Sequence, residues 1–162
     1  MKTAIVTGAS SGLGREFVRQ IADVFPEIEC YWLIARRADR LAELAEMMPD
    51  KHIVCLSLDL CDTMSFMTLQ EKLNAEKPEV ALLVNNAGCG YLGNIGEVET
   101  SSQTRMIDLN LRALTAITNI TVYGAWRKNY QHFLHRLLLS QSSYDRLFFH
   151  QSLCDLVHGW PE

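Results

Sequence analysis

Directly after a short β-branched stretch, Thr3 to Val6, the chain reads Thr7-Gly8-Ala9-Ser10-Ser11-Gly12-Leu13-Gly14 and then turns helical in pattern. Glycines at this spacing meet a steric need. The backbone must turn tightly and let a diphosphate approach its amides with no Cβ in the way. A helix that starts there adds unpaired N–H groups and the positive end of its dipole. Ser10 and Ser11 bring hydroxyl donors. The residues expected to hold a dinucleotide in this loop are therefore Gly8, Ser10, Ser11, Gly12, Leu13 and Gly14. The bland alternative is an ordinary Gly/Ser turn between a strand and a helix.

A second constellation bears on which dinucleotide. In such folds an acidic residue about 20 positions past the last glycine takes the adenosine ribose 2′-hydroxyl of NAD. Here the corresponding strand end reads Ala35-Arg36-Arg37. A carboxylate there would repel a 2′-phosphate, whereas a guanidinium pairs with it through two parallel hydrogen bonds. Arg36 and Arg37 thus predict NADP(H) ahead of NAD(H). Two solvated arginines opening a helix are the competing explanation.

The elements that must carry these residues follow from periodicity. Apolar runs at Thr3–Val6, Cys30–Ala35, His52–Leu58 and Val80–Val84 predict four strands. Helical spacing predicts helices over Leu13–Val24, Ala38–Met48, Thr63–Lys77 and, longest, Thr100–Thr121. Strand and helix alternate, and the strands lack an inside–outside alternation. Only parallel strands covered on both faces need that. With right-handed crossovers, the fold class is α/β, a Rossmann-like doubly wound parallel sheet of order 3-2-1-4.

These segments together resemble the short-chain dehydrogenase/reductase family. Thr7 followed by Gly-x-x-x-Gly-x-Gly is that family's cofactor loop, and Asn85-Asn86-Ala87-Gly88 after the fourth strand matches its NNAG motif. Asp59, with Leu60 beside it, matches the adenine-side acidic position. Leu109-Asn110-Leu111-Arg112-Ala113 matches the helix segment holding the family's catalytic asparagine. The resemblance implies adenine contact at Asp59 and Leu60, backbone contact to the nicotinamide-side ribose at Asn86, Ala87 and Gly88, and a catalytic role for Asn110. Asp59 also suits capping of the turn Leu60-Cys61-Asp62-Thr63, and the two roles are compatible. Asn86 suits equally a structural tie between neighbouring strands.

The resemblance further implies hydride transfer between the nicotinamide and a small-molecule carbonyl or alcohol, with a tyrosine, a lysine four residues later and a serine as partners of the asparagine. Lys128 is the only lysine after Lys77, and Gly124 stands four residues before it. Tyr-x-x-x-Lys is absent. Ser142-Ser143-Tyr144 is a poor substitute, since adjacent residues cannot take the family's separate positions. The reading is thus an NADP-dependent oxidoreductase in truncated form that keeps cofactor binding. The alternative is an inactive dinucleotide-binding module or a non-functional gene fragment.

Composition sets the frame. The chain has 162 residues, 48% hydrophobic and 21% charged, with 15 basic and 19 acidic residues. Nothing there marks nucleic acid or an anionic membrane as a partner. No run approaches the length needed to span a bilayer, the start lacks a signal-peptide pattern, and the five cysteines are scattered, so a cytoplasmic location is expected. No metal site is expected. Residues 1–121 read as the dinucleotide-binding domain and 122–162 as a divergent tail, the product of a frameshift, a fusion or a fragment end. The tail holds four of the five histidines, and Phe133–Leu139 and Leu147–Val157 are expected as helices. His132, His135, His150, Cys154 and His158 could sit on helical faces as zinc ligands, though chance placement explains them better. The fourth strand is expected to be an open edge. In the resembled family the long helix joins subunits, so self-association or a homo-oligomer through helix 100–121 is expected.

Overall fold

A computed structural model describes residues 1–94, 96–126 and 138–140. The chain alternates β1 (Lys2–Thr7), α1 (Gly12–Val24), β2 (Ile28–Ala35), α2 (Ala38–Glu46), β3 (His52–Ser57), α3 (Thr63–Glu76) and β4 (Glu79–Asn85). A long helical stretch follows as α4 (Thr100–Ile107), a π-helical segment Asp108–Ala113, and α5 (Leu114–Trp126). It continues without a break through Thr121. A three-residue strand, β5 (Leu138–Ser140), comes last.

All pairings are parallel, and the order is β3-β2-β1-β4-β5. The expected 3-2-1-4 order is therefore present, extended by one strand. Two expectations about the tail are corrected here. Leu138–Ser140 is extended where a helix over Phe133–Leu139 was expected, and it pairs with Leu83–Asn85, so the upper half of β4 is not an open edge. A three-residue strand with no β-branched residue carries no readable pattern; the unpaired N–H and C=O groups of β4 provide its template. The zinc-ligand candidates His132, His135, His150, Cys154 and His158, the Ser142-Ser143-Tyr144 run and the helix expected over Leu147–Val157 lie outside the described residues.

Each face of the sheet has its own core, which is why the strands read as continuous apolar runs. On one side Ala4, Val6, Tyr31, Leu33, Leu82 and Val84 pack against Phe17, Val18 and Ile21 of α1 and Leu41 and Leu44 of α2. On the other, Ile5, Trp32, Ile34, Val80 and Leu83 meet Phe66, Leu69 and Leu73 of α3 and Ile117 of α5. Each fully buried aliphatic of this kind contributes roughly 1.5–3 kcal/mol. Burial pushes the Tyr31 phenol up to about 12, so it stays neutral inside the core. Because the strands are parallel, their C-terminal ends reach one rim, and the connections leaving that rim are the ones that hold the site.

Candidate functional site

Four loops meet at this rim: Thr7–Gly14 after β1, Arg36–Arg37 after β2, Leu58–Asp62 after β3, and Asn86–Gly90 after β4. Such a rim is where open α/β sheets place ligands.

The first loop is shaped by three glycines with different tasks. Gly8 and Gly12 adopt positive φ, +68° and +55°, where a side chain would be strained. Gly14 is needed for close approach, since a Cβ there would overlap the Gly8 carbonyl oxygen and come within 2.5 Å of Asn86 Nδ2. By contrast nothing lies within 4 Å of a Cβ built on Gly12, so the approach to the start of α1 is open. Ser11 stands at the N-cap of α1 without capping it, and the first turn holds no acidic residue. An uncapped helix start with open backbone above it suits a phosphate.

Arg37 completes this cradle. Its Nη2 donates to Ser11 Oγ at 2.7 Å and Ser10 Oγ at 3.2 Å, placing a guanidinium across the loop mouth. Arg36 is exposed beside it; Ser57 Oγ donates to its backbone carbonyl at 2.9 Å. Leu13 is exposed on the first turn of α1.

The Asn86 loop is tied to the glycine loop from beneath. Thr7 Oγ1 donates to the Val84 carbonyl at 3.3 Å and accepts from the N–H groups of Asn86 and Ala87, each at 3.0 Å. Asn86 Nδ2 donates to the carbonyls of Thr7 at 3.1 Å and Gly8 at 3.3 Å. The Asn86 side chain thus fixes the glycine turn, which leaves the backbone from Ala87 to Gly88 facing the rim. Asn110, in the π-helical segment, holds the next residue. Its Oδ1 accepts from Cys89 N–H at 2.9 Å and its Nδ2 donates to Cys89 O at 2.8 Å.

Asp59 has both carboxylate oxygens engaged. Oδ1 accepts from Cys61 N–H at 3.0 Å, closing the turn, and Oδ2 accepts from Arg105 Nη2 of α4 at 3.0 Å. The Cys61 amide first, then the Arg105 guanidinium, holds the Asp59 carboxyl below its usual 3.8. Leu60 is buried in the core behind the loop, so only its backbone faces the rim. Arg112 clamps the same loop by donating to Cys61 O and, at 3.0 Å, to Thr63 Oγ1, while it pairs with Asp108 at 2.9 Å.

The structure brings the expected positions Gly8, Ser10, Ser11, Gly12, Gly14, Arg36, Arg37, Asp59, Asn86, Ala87, Gly88 and Asn110 to these loops and their supports. It adds Thr7, Arg105 and Arg112. Thr7 could be read from its place before the glycine. The two arginines carry no local signal, because their bonds span 46 to 51 residues. Among the described residues no group of three or more His, Cys, Asp or Glu could hold a metal ion. No helix among them is long and apolar enough to cross a membrane.

The sequence profile of the family described as short chain dehydrogenase matches residues 2–126. The chain belongs to that family. The chain is similar to the NADP-dependent 3-hydroxy acid dehydrogenase of Schizosaccharomyces pombe, at 31% identity over 132 residues, which is 79% of this chain and 50% of that one. Two solved structures share the fold at higher coverage of this chain than of their own length. One is the alcohol dehydrogenase of the archaeon Thermococcus sibiricus complexed with 5-hydroxy-NADP, with TM-score 0.69, 28% identity, 78% of this chain and 54% of that chain. The other is the L-sorbose reductase of Gluconobacter frateurii complexed with NADPH and L-sorbose, with TM-score 0.70, 26% identity, 78% of this chain and 48% of that chain. The chain spans about half the length of the curated relatives it matches.

Proposed function

We propose that this short-chain dehydrogenase chain binds NADP(H) at the rim and serves hydride transfer between the nicotinamide and a small-molecule carbonyl or alcohol. The observation that carries the reading is the Arg37 guanidinium on Ser10 and Ser11, beside an exposed Arg36, at the mouth of an open glycine loop. NADP-dependent relatives support it.

In this reading Gly8, Gly12, Leu13 and Gly14 present backbone to the diphosphate, and Ser10, Ser11 and Arg37 give it polar partners. Arg36 takes the ribose 2′-phosphate. Asp59 and the Leu60 backbone meet the adenine, and the Asn86-Ala87-Gly88 backbone meets the ribose at the nicotinamide end. When bound, the nicotinamide supplies or accepts the hydride. Asn110 keeps the backbone at Cys89 in place and so shapes the end of the rim where the reacting carbon must lie. Titration of the full chain with NADPH and NADH, followed by tryptophan quenching and thermal shift, tests this. Tighter NADPH binding is expected; equal or tighter NADH binding overturns it.

A second reading is a binding module that does not turn over, and it rests on the sequence having no lysine four residues after any tyrosine. NADPH oxidation with a panel of ketones separates the two. The outward side of the long helix, where Ile107 is 53% and Leu111 62% exposed, is the proposed contact between copies of the chain. Sedimentation at about 100 µM is expected to show self-association above any single monomeric species.

A further inference from the structure

The rim of the proposed adenosine end carries one carboxylate and three guanidinium groups whose assignments differ. Arg37 is taken up by the two serines of the glycine loop. Arg36 makes no side-chain hydrogen bond or ion pair to a described residue, yet its charge bears on Asp59. Asp59 is paired instead with Arg105, reaching in from α4 at 3.0 Å.

We infer that Arg105 is a positioning residue that sets the preference between NADP(H) and NAD(H), by neutralising Asp59 and so leaving Arg36 available to a 2′-phosphate. This rests on the reading that the rim holds NADP(H). The pair itself contributes little to folding, since both side chains are about two-fifths exposed, 41% and 40%. What remains is its effect on charge. Without Arg105 the Asp59 carboxylate is an uncompensated negative group close to Arg36. It then competes for that guanidinium and repels a dianionic phosphate arriving at the same place. A ribose carrying only a hydroxyl at the 2′ position is not repelled, so the penalty falls on one cofactor and spares the other.

The test is the ratio of NADH to NADPH dissociation constants, measured on the full chain, with 2′,5′-ADP as a probe lacking the nicotinamide. Arg105→Met is expected to lower that ratio about tenfold, mostly through NADPH and 2′,5′-ADP. Arg105→Lys keeps the charge and is expected to retain the preference. The double variant Asp59→Asn/Arg105→Met removes the carboxylate that needed neutralising, and is expected to restore the ratio to within about twofold of the unaltered chain. Equal weakening of both cofactors in Arg105→Met, or no recovery in the double variant, means that Arg105 only holds the turn, and overturns the inference. If Arg105→Met fails to fold by circular dichroism, Asp59→Asn alone decides: the NADPH preference must hold or rise, and a fall overturns the inference. An unaltered chain without NADPH preference overturns the underlying reading, and the inference with it. An unaltered chain that prefers NADPH, with an unmoved ratio in Arg105→Met, overturns the inference alone.

Discussion

The loop after β1 and the loops after β3 and β4 lie on one rim but are held in different ways. The first takes its shape from glycines within eight residues of one another, two at positive φ and one admitting its neighbour's carbonyl. The others are held by side chains of the long helix: Asn110 on Cys89, Arg105 on Asp59, Arg112 on Cys61 and Thr63. One loop is rigid by exclusion, because no other backbone path fits. The others are rigid by attachment, and each attachment is a bond that a single truncation removes. Local sterics therefore protect the diphosphate end, while the two ends of the proposed cofactor depend on one distant helix.

Substitutions can break this contrast. The largest effect is expected for Gly14→Val, which drives side-chain carbon into the Gly8 carbonyl and Asn86; a loss of about 3 kcal/mol or more and of NADPH binding should show in thermal melts and titration. Asn110→Ala comes next. It leaves the Cys89 N–H and C=O without their partners at a half-buried position, for about 2 kcal/mol. If the melting temperature does not fall, attachment is not what holds that loop. Gly12→Ala meets no neighbouring atom and suffers only its positive φ, about 1 kcal/mol. A loss as large as that of Gly14→Val would mean the two glycines do the same job.

The smallest effect is a pH dependence at the attached loop. The Asp59 carboxyl is depressed in the folded chain, so its contribution is present above its ordinary value of 3.8 and is lost as pH falls through the lower folded value. Between about pH 5 and 2 the melting temperature should fall less steeply for Asp59→Asn than for the unaltered chain. The difference is small because the side chain is 40% exposed. Parallel profiles would remove Asp59 from the account of the loop.

The same contrast explains what could be read from the amino acids. β1 to β4 and their helices follow from apolar runs and helical spacing, and the glycine loop from its own residue types. The two roles left open at Asp59 and Asn86 were open for a physical reason. A carboxylate beside a turn, or an amide beside a strand, does not say where its partner is until the chain has folded. The structure finds Asp59 closing its own turn while paired with Arg105, and Asn86 tying the glycine turn. Arg105 and Arg112 looked like solvated charges on an amphipathic helix. β5 escaped because Leu138–Ser140 owes its extended form to β4 rather than to its own side chains.

The π-helical segment Asp108–Ala113 has a consequence for how this chain tolerates change. A π turn winds in one more residue than an α turn, so it resets the angular phase of everything after it. Asn110 and Arg112 point to Cys89 and Cys61, and Ile117 points to the core, only because that offset is kept. Deleting any one residue of the segment would turn the rest of the helix by roughly 100°. Ile117 would then leave the core while the helix stayed intact. At this place the length of the chain matters more than the identity of most of its side chains.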